Sequence, residues 1–450
     1  MTDENPIRFG TDGIRGRVGE DVTPAVAHAL GQAAAEVLGV DRIVVGWDTR
    51  ASGEPLVQAF TSGVAAGRAE VRQIGVAPTP AVAFLAAATG AAGCSVTASH
   101  NDSRYNGFKF FDPRGLKLSD EVEAQMATMA NRHLAAHPGE PTTTELAVDG
   151  SLLDAYLTHL GARLAGLDLR GLRVGLDCAN GAATSVAPVL FGRLDLGDLV
   201  VVGDRPDGSN INEGVGSTYV EHLAEEVVAL GLDLGFSFDG DADRVMAVAA
   251  DGSVLDGDQL IAVLADDMVE RGALTGRKVV VTHWSNLGLF RALEAKGIDV
   301  VETDVGDRFV LEVLTRDGLS LGGEQSGHII LRDLSTTGDG VLTAIELLGV
   351  VARAGRPLGE LADVAMQKMP QVTVAVPVAD PRVAVRALQE LADDENRALG
   401  RDGRVVLRAS GTEAVVRVMA EATTHDRAQQ AVDRLQLALA AGDGGKVDHT

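Results

Sequence analysis

Short runs of β-branched and aliphatic residues recur along the chain, each separated from the next by a longer alanine-rich or amphipathic stretch. Residues 42–46 (RIVVG) predict a strand, 54–68 a helix and 70–75 a second strand. A Pro-Thr-Pro turn at 78–80 leads into a helix that runs to 89. Residues 93–97 (GCSVT) predict a further strand, 107–111 its hairpin partner, and 119–136 a helix. This alternation is the rhythm of an α/β domain. It restarts after a Pro/Gly/Thr-rich stretch at 138–144, with a helix at 151–165, the strand RVGLDC at 173–178, a helix near 218–230 and the strand DLGFSF at 233–238. Beyond Asp251-Gly252 it begins again, with helix 258–271, strand 278–283, helix 286–296 and strand 299–303. The tail differs: strands at 371–376, 404–409 and 414–421 alternate with helices at 381–395 and 425–441, and the last residues, GDGGKVDHT, read as disordered. The expected architecture is therefore three similar mixed α/β domains, at 1–150, 151–250 and 251–368, followed by a smaller α+β domain at 369–450.

A chain of 450 residues has room for several separate cores, and 46% hydrophobic with 23% charged residues suits a folded, water-soluble protein. The net charge of −25 argues against nucleic acid or an anionic membrane as a partner, since both need a positive field. An anionic substrate then requires a local basic pocket or a metal ion. Lysine is scarce, at positions 109, 117, 278, 296, 368 and 446, which fits a GC-rich genome and permits adaptation to salt. Cys94 and Cys178 stand far apart in apolar runs, as expected of buried thiols in a reducing compartment. The first residues are acidic and lack an apolar core, and no apolar run reaches membrane-spanning length, so a cytoplasmic protein is expected.

Five segments offer chemistry. Thr97-Ala98-Ser99-His100-Asn101 follows a strand, and its serine is a nucleophile if a base or cation assists it; His100 and Lys109 are at hand, although Ser-His-Asn alone also suits a turn or helix cap. Phe238-Asp239-Gly240-Asp241-Ala242-Asp243-Arg244 spaces three carboxylates at every second residue, which can wrap one hard cation. An EF-hand would need glycine at position 244 and glutamate at 250, and neither is present. A solvated acidic turn is the competing reading, but three adjacent anions repel unless something positive sits among them. Gly322-Gly323-Glu324-Gln325-Ser326-Gly327-His328 combines glycines for close backbone approach with hydroxyl-recognising Glu324 and Ser326 and a proton-transfer candidate in His328; a plain glycine turn competes. Arg408-Ala409-Ser410-Gly411-Thr412-Glu413 with Arg417 could cradle a phosphate, or be a strand turn with exposed arginines. Near the start, Gly10-Thr11-Asp12-Gly13-Ile14-Arg15-Gly16 sets Arg15 on a glycine-flanked loop as an anion contact.

Taken in order, these segments resemble the α-D-phosphohexomutase superfamily over nearly the whole chain, from Arg8 to about Glu421. FGTDGIRG, Val305-Gly306-Asp307-Arg308-Phe309-Val310, the GGEQSGH loop, Asn180-Gly181-Ala182 and the segment 206–212 are most like its phosphoglucosamine mutase branch. The resemblance implies the four-domain fold around a central cleft. It makes Ser99 the carrier of a transferable phosphoryl group and, with Asp239, Asp241 and Asp243, a ligand of one Mg²⁺ per chain. It places Arg15, His100, Lys109, Arg244 and His328 about the reacting phosphoryl group, and Asp307, Arg308, Glu324 and Ser326 on the sugar. Arg408, Ser410, Gly411, Thr412 and Arg417 would hold the non-reacting phosphate. The implied reaction interconverts glucosamine 6-phosphate and glucosamine 1-phosphate, primed by a hexose 1,6-bisphosphate, in a monomer or homodimer. A glucose or mannose phosphate mutase shares the chemistry, and a non-catalytic sugar-phosphate binder would share the fold. Asp102 where the family usually has proline, and Tyr105-Asn106-Gly107-Phe108-Lys109, bear on the sugar.

Overall fold

The computed structural model describes residues 7–10, 12–136, 148–410 and 414–443. The chain divides into two compact units, Met1–Thr282 with Val301–Val364, and His283–Val300 with Ala365–Thr450.

Three sheets are built largely within the first unit. β1 (Ile14–Arg17), β2 (Arg42–Trp47), β3 (Glu70–Val76), β4 (Ala92–Val96) and β5 (Tyr105–Phe111) form a sheet in the order β1-β5-β4-β2-β3. β2 lies parallel to β3 and β4, which requires crossovers; helices Gly53–Ala66 and Thr79–Thr89 supply them. Ile43, Val44 and Val45 are all buried, as are all five residues of β4, so these strands read as unbroken apolar runs rather than alternating ones. β6 (Arg173–Asp177), β7 (Asp198–Val202), β8 (Leu234–Phe238), β9 (Val245–Ala249) and β10 (Val254–Leu255) form the second sheet, ordered β10-β9-β8-β6-β7. The third, from β11 (Lys278–Thr282), β12 (Asp299–Thr303), β13 (Leu321–Gly323) and β14 (Ile329–Leu331), runs β12-β11-β13-β14.

The three sheets share a device. In each, a strand parallel to its neighbour on one side turns back into an antiparallel partner on the other: β4 into β5, β8 into β9, β13 into β14. The three returning loops are those holding Ser99, Asp239–Asp243 and Glu324–His328.

Helix Pro24–Leu38 has no counterpart in the elements read from the sequence. Thr23 caps it by accepting from the Val26 N–H, proline occupies its first turn and Gly39 ends it in the left-handed conformation. It packs on Gly53–Ala66 through glycines: a Cβ on Gly31 would lie 2.1 Å from the Phe60 carbonyl oxygen, and one on Gly63 2.0 Å from that of His28.

In the second unit β15 (Gln371–Pro377), β16 (Gly403–Ala409) and β17 (Val415–Ala422) form an antiparallel sheet, ordered β15-β17-β16. Its core joins Val416, Val418 and Ala420 to Leu388 of helix Pro381–Leu399 and to Val432 and Leu435 of helix His425–Asp443. This is the expected α+β tail. No helix among the described residues is long and apolar enough to cross a membrane, and both cysteines are buried free thiols.

One buried polar contact ties helix Ser151–Gly161 to helix Gly340–Ala354. The Tyr156 hydroxyl, 1% exposed, lies 2.8 Å from Asp339 Oδ2, and Asp339 also caps the second helix by accepting from the Leu342 N–H at 2.8 Å. Burial pushes the Asp339 carboxyl up to about 7. Because that folded pKa lies above the unfolded value, this group favours the fold more as pH falls from 7 toward 4. Tyr156→Phe removes a donor from a buried carboxylate, so it should cost on the order of 1.5–3 kcal/mol when Asp339 is ionised and less when it is protonated. Thermal melts at pH 5 and pH 8 check this: the variant should lose more at pH 8, and equal losses would contradict it.

Candidate active site

Ser99 leaves the end of β4 in the left-handed region, at φ 52°, where a non-glycine residue is uncommon. Its Oγ donates to Asp239 Oδ2 at 2.7 Å and lies 3.4 Å from His100 Nδ1. Asp239 opens the loop from β8 to β9; Asp241 and Asp243 follow it, and all three carboxylates are buried, with ligand atoms within 4.8 Å of one another. Burial and the charges of Asp243 and Asp241 push the Asp239 carboxyl well above the usual range.

Lys109, on β5, enters the same cluster. It donates to Asp241 Oδ2 at 2.8 Å and Asp243 Oδ2 at 2.7 Å, and stands 3.0 Å from Asp12 Oδ2. Burial opposes its charge, but Asp12, Asp241 and Asp243 outweigh that and hold its pKa well above the ordinary lysine value. Lys109 is therefore an ammonium that neutralises charge, not a base awaiting a proton. His100 is the reverse. Burial, then Arg244 and Arg15, lower it to about 4, so at neutral pH it is an uncharged imidazole.

Several polar atoms here make no hydrogen bond, although Arg244 Nε lies 3.7 Å from Asp243 Oδ1. Asp241 Oδ1 and Asp243 Oδ1 are buried without a hydrogen bond, as are Arg15 Nε and Arg244 Nε. Buried polar atoms are ordinarily satisfied, so these call for something to bind. Carboxylate oxygens from a tight triad fit a hard, oxygen-seeking cation, and guanidinium N–H groups beside them fit an anion's oxygens.

The third loop closes the cluster. Glu324 Oε1 accepts from the Gly306 N–H at 3.0 Å, and burial raises its carboxyl. The Gly327 carbonyl accepts from the Val245 N–H at 3.1 Å, joining the β13–β14 loop to the strand that follows the triad. His328 is 2% exposed, with Nε2 3.4 Å from Asp307 Oδ2 and neither ring nitrogen hydrogen-bonded. A side chain at Gly338 would lie 2.3 Å from His328 Nε2, so glycine there leaves the ring its space. Ser326 is exposed at the hairpin tip. Arg308 pairs with Asp120 and lies over the Phe309 ring.

The structure thus gathers Arg15, Ser99, His100, Lys109, Asp239, Asp241, Asp243, Arg244, Asp307, Glu324 and His328. It adds residues that the sequence motifs did not single out. Asp12 joins Arg15, Lys109 and Lys117, and Lys117 reaches on to Asp307. Lys117 was findable as one of only six lysines. In the second unit, Arg408 on β16 stands directly opposite Arg417 on β17, with the Ser410 N–H donating to Val415 at 3.0 Å. The two arginines are therefore cross-strand neighbours on one face of this sheet. Gly411 and Thr412 lie outside the described residues.

Comparison with known sequences finds all four parts of one family. Domain I of the phosphoglucomutase/phosphomannomutase family matches residues 6–136, domain II 154–252, domain III 256–369 and the C-terminal domain 374–438. A phosphoglucosamine mutase of Thermobifida fusca is 50% identical over 95% of this chain and 96% of its own, and one of Pelotomaculum thermopropionicum is 46% identical over 95% and 98%. Among solved structures, a phosphoglucomutase/phosphomannomutase family protein from Burkholderia thailandensis superposes with a TM-score of 0.78 at 26% identity, covering 97% of this chain and 98% of that one. An Aspergillus fumigatus N-acetylphosphoglucosamine mutase, solved with GlcNAc-6P and magnesium, shares the fold with a TM-score of 0.71 at 20% identity, covering 98% and 97%.

Proposed function

Because the chain belongs to the phosphoglucomutase/phosphomannomutase family, we propose that it is an intramolecular phosphotransferase that interconverts glucosamine 6-phosphate and glucosamine 1-phosphate. The observation that carries this reading is Ser99 Oγ held 2.7 Å from a carboxylate of a buried aspartate triad. The relatives at 43–50% identity, all phosphoglucosamine mutases, support the choice of sugar.

In this reading Ser99 carries the phosphoryl group. Asp239, Asp241 and Asp243 hold Mg²⁺, which when bound withdraws charge from the phosphoryl oxygens. Arg15 and Arg244 direct N–H groups at those oxygens, and Lys109 balances the carboxylates beneath them. The sugar's 1-hydroxyl attacks the phosphoserine phosphorus; the Oγ–P bond breaks and glucosamine 1,6-bisphosphate results. His100 or His328 takes the hydroxyl proton. After the bisphosphate turns over, Ser99 Oγ takes the 6-phosphoryl group and returns the enzyme to its starting form. Glu324 and Asp307, with Ser326 and Arg308 beside them, contact the sugar hydroxyls. Arg408, Ser410, Gly411, Thr412 and Arg417 hold the phosphate that is not reacting. The substrates are soluble sugar phosphates, so a cytoplasmic enzyme, monomeric or homodimeric, suffices. Four working parts follow from this assignment, at 1–150, 151–250, 251–368 and 369–450, each supplying one loop.

The test is a side-by-side assay of glucosamine, glucose and mannose phosphates with glucose 1,6-bisphosphate as primer. Glucosamine phosphate should show the highest kcat/KM. A preference for glucose or mannose phosphate would overturn the choice of sugar, and inactivity on all three the reaction itself.

A further inference from the structure

The turn that presents Ser99 is gripped from behind by its carbonyls. The Ser99 carbonyl accepts from Arg50 Nη2 at 3.1 Å and from Asn212 Nδ2 at 2.9 Å. The Asn101 carbonyl accepts from the same two groups, at 2.7 and 2.9 Å. Arg50 Nη1 donates further to the carbonyls of Asp102 and Tyr105. Arg50 is 2% exposed, and its charge is matched by Asp48, 2.9 Å from its Nε.

The two grips come from different sheets. Arg50 follows β2, whereas Asn212 lies between β7 and helix Glu221–Leu230, its own N–H donating to the Ala179 carbonyl at 2.9 Å. Gly240, inside the aspartate loop, rests on the same point: a Cβ there would lie 2.5 Å from the Ser99 carbonyl oxygen and 2.7 Å from Asn212 Nδ2. The Ser99 carbonyl is thus where the nucleophile's turn, the second sheet's loop and the aspartate loop touch. With no cis peptides in the described chain, holding this carbonyl also turns the planar peptide's His100 N–H to the opposite side. A non-glycine residue persists in this backbone region only when its surroundings over-determine it.

We propose that Arg50 and Asn212 are positioning residues for phosphoryl transfer, fixing the left-handed Ser99 turn and setting the register of Ser99 Oγ against Asp239, Asp241 and Asp243. Both act through the backbone of the turn and touch none of the reacting atoms. The inference rests on the reading of Ser99 as phosphoryl carrier. It predicts a loss in the rate of transfer with substrate affinity kept, because the groups that would bind the sugar and its phosphate are untouched.

Asn212→Asp is isosteric, tolerates the positive φ of 58° and loses both donors; Asn212→Ala removes them without adding charge. Dephosphorylated protein is mixed with glucose 1,6-bisphosphate, and phosphate uptake is followed by intact mass alongside kcat, KM and the melting temperature. Both variants should lose about 10²-fold in loading rate and kcat, the effect expected of a misplacement near 1 Å, with KM within about twofold. Arg50→Lys, which keeps a cation beside Asp48 but not the fork, should behave likewise and decides the matter if the Asn212 variants do not fold. Folded variants that load at the wild-type rate, or whose loss falls in KM, overturn the proposal. A wild-type protein that takes up no phosphate instead overturns the phosphoserine reading on which it rests.

Discussion

Ser99→Ala should abolish turnover while leaving the protein folded. The substitution deletes the hydroxyl oxygen that would carry the phosphoryl group, and Thr97 of the same segment is not free to replace it: its Oγ1 already binds Asp48 and the Ser99 N–H. Loss of a covalent relay costs far more than loss of one binding contact, so the fall in kcat should be at least about 10³-fold. Wild-type protein exposed to glucose 1,6-bisphosphate should gain one phosphate mass that the variant does not. Undiminished activity in the variant, or the same mass gain, would remove Ser99 from the mechanism.

Removing the metal, or one of its ligands, should be nearly as severe. Asp241 is the most informative position, because its Oδ2 is committed to Lys109 and to the Thr79 hydroxyl at 2.7 Å while its Oδ1 has no partner. Asp241→Asn keeps the shape and the Thr79 contact but withdraws a charge from the triad. Activity should fall on the order of 10³-fold, the scale of losing one preorganised electrostatic contact to a transition state. Chelation of the wild-type protein should abolish activity and Mg²⁺ restore it. Mg²⁺ should also raise the melting temperature of the wild type, since binding to the native state alone stabilises it, and do so less for the variant. Full activity in metal-free protein, or equal thermal shifts in both, would count against a magnesium site here.

The parts of this site that could be read from the sequence are those whose chemistry is contiguous. Asp239, Asp241 and Asp243 lie within five residues, and strand, loop and antiparallel return are short enough for the apolar run before them to announce the turn. The same holds for Glu324 to His328. What could not be read was assembled across the chain. Asp307 stands in a segment the sequence singles out, but its meeting with Asp12 through Lys117 joins residues far apart in the chain, with β1 lying beside β5. Arg50 and Asn212 act on backbone carbonyls, which leave no trace in side-chain patterns. Helix Pro24–Leu38 escaped for another reason. Its buried positions are mostly alanine and glycine, including Ala27, Ala29, Gly31, Ala33 and Ala34, so small residues surround it and the apolar stripe is faint. Ser326, another motif position, is exposed at its hairpin tip.

Asp12 pairs with three cations at once, Arg15, Lys109 and Lys117, and the two lysines in turn hold Asp241, Asp243 and Asp307. The charges of this cluster are thus set against one another largely out of water, where dissolved ions screen them little, whereas the long-range field of the net charge of −25 is screened over about 10 Å at 0.1 M salt. Rising ionic strength therefore weakens the long-range repulsion between this protein and an anionic sugar without loosening the charges that receive it. Salt that would strip a nucleic-acid binder from its ligand leaves this enzyme's encounter easier and its chemistry intact.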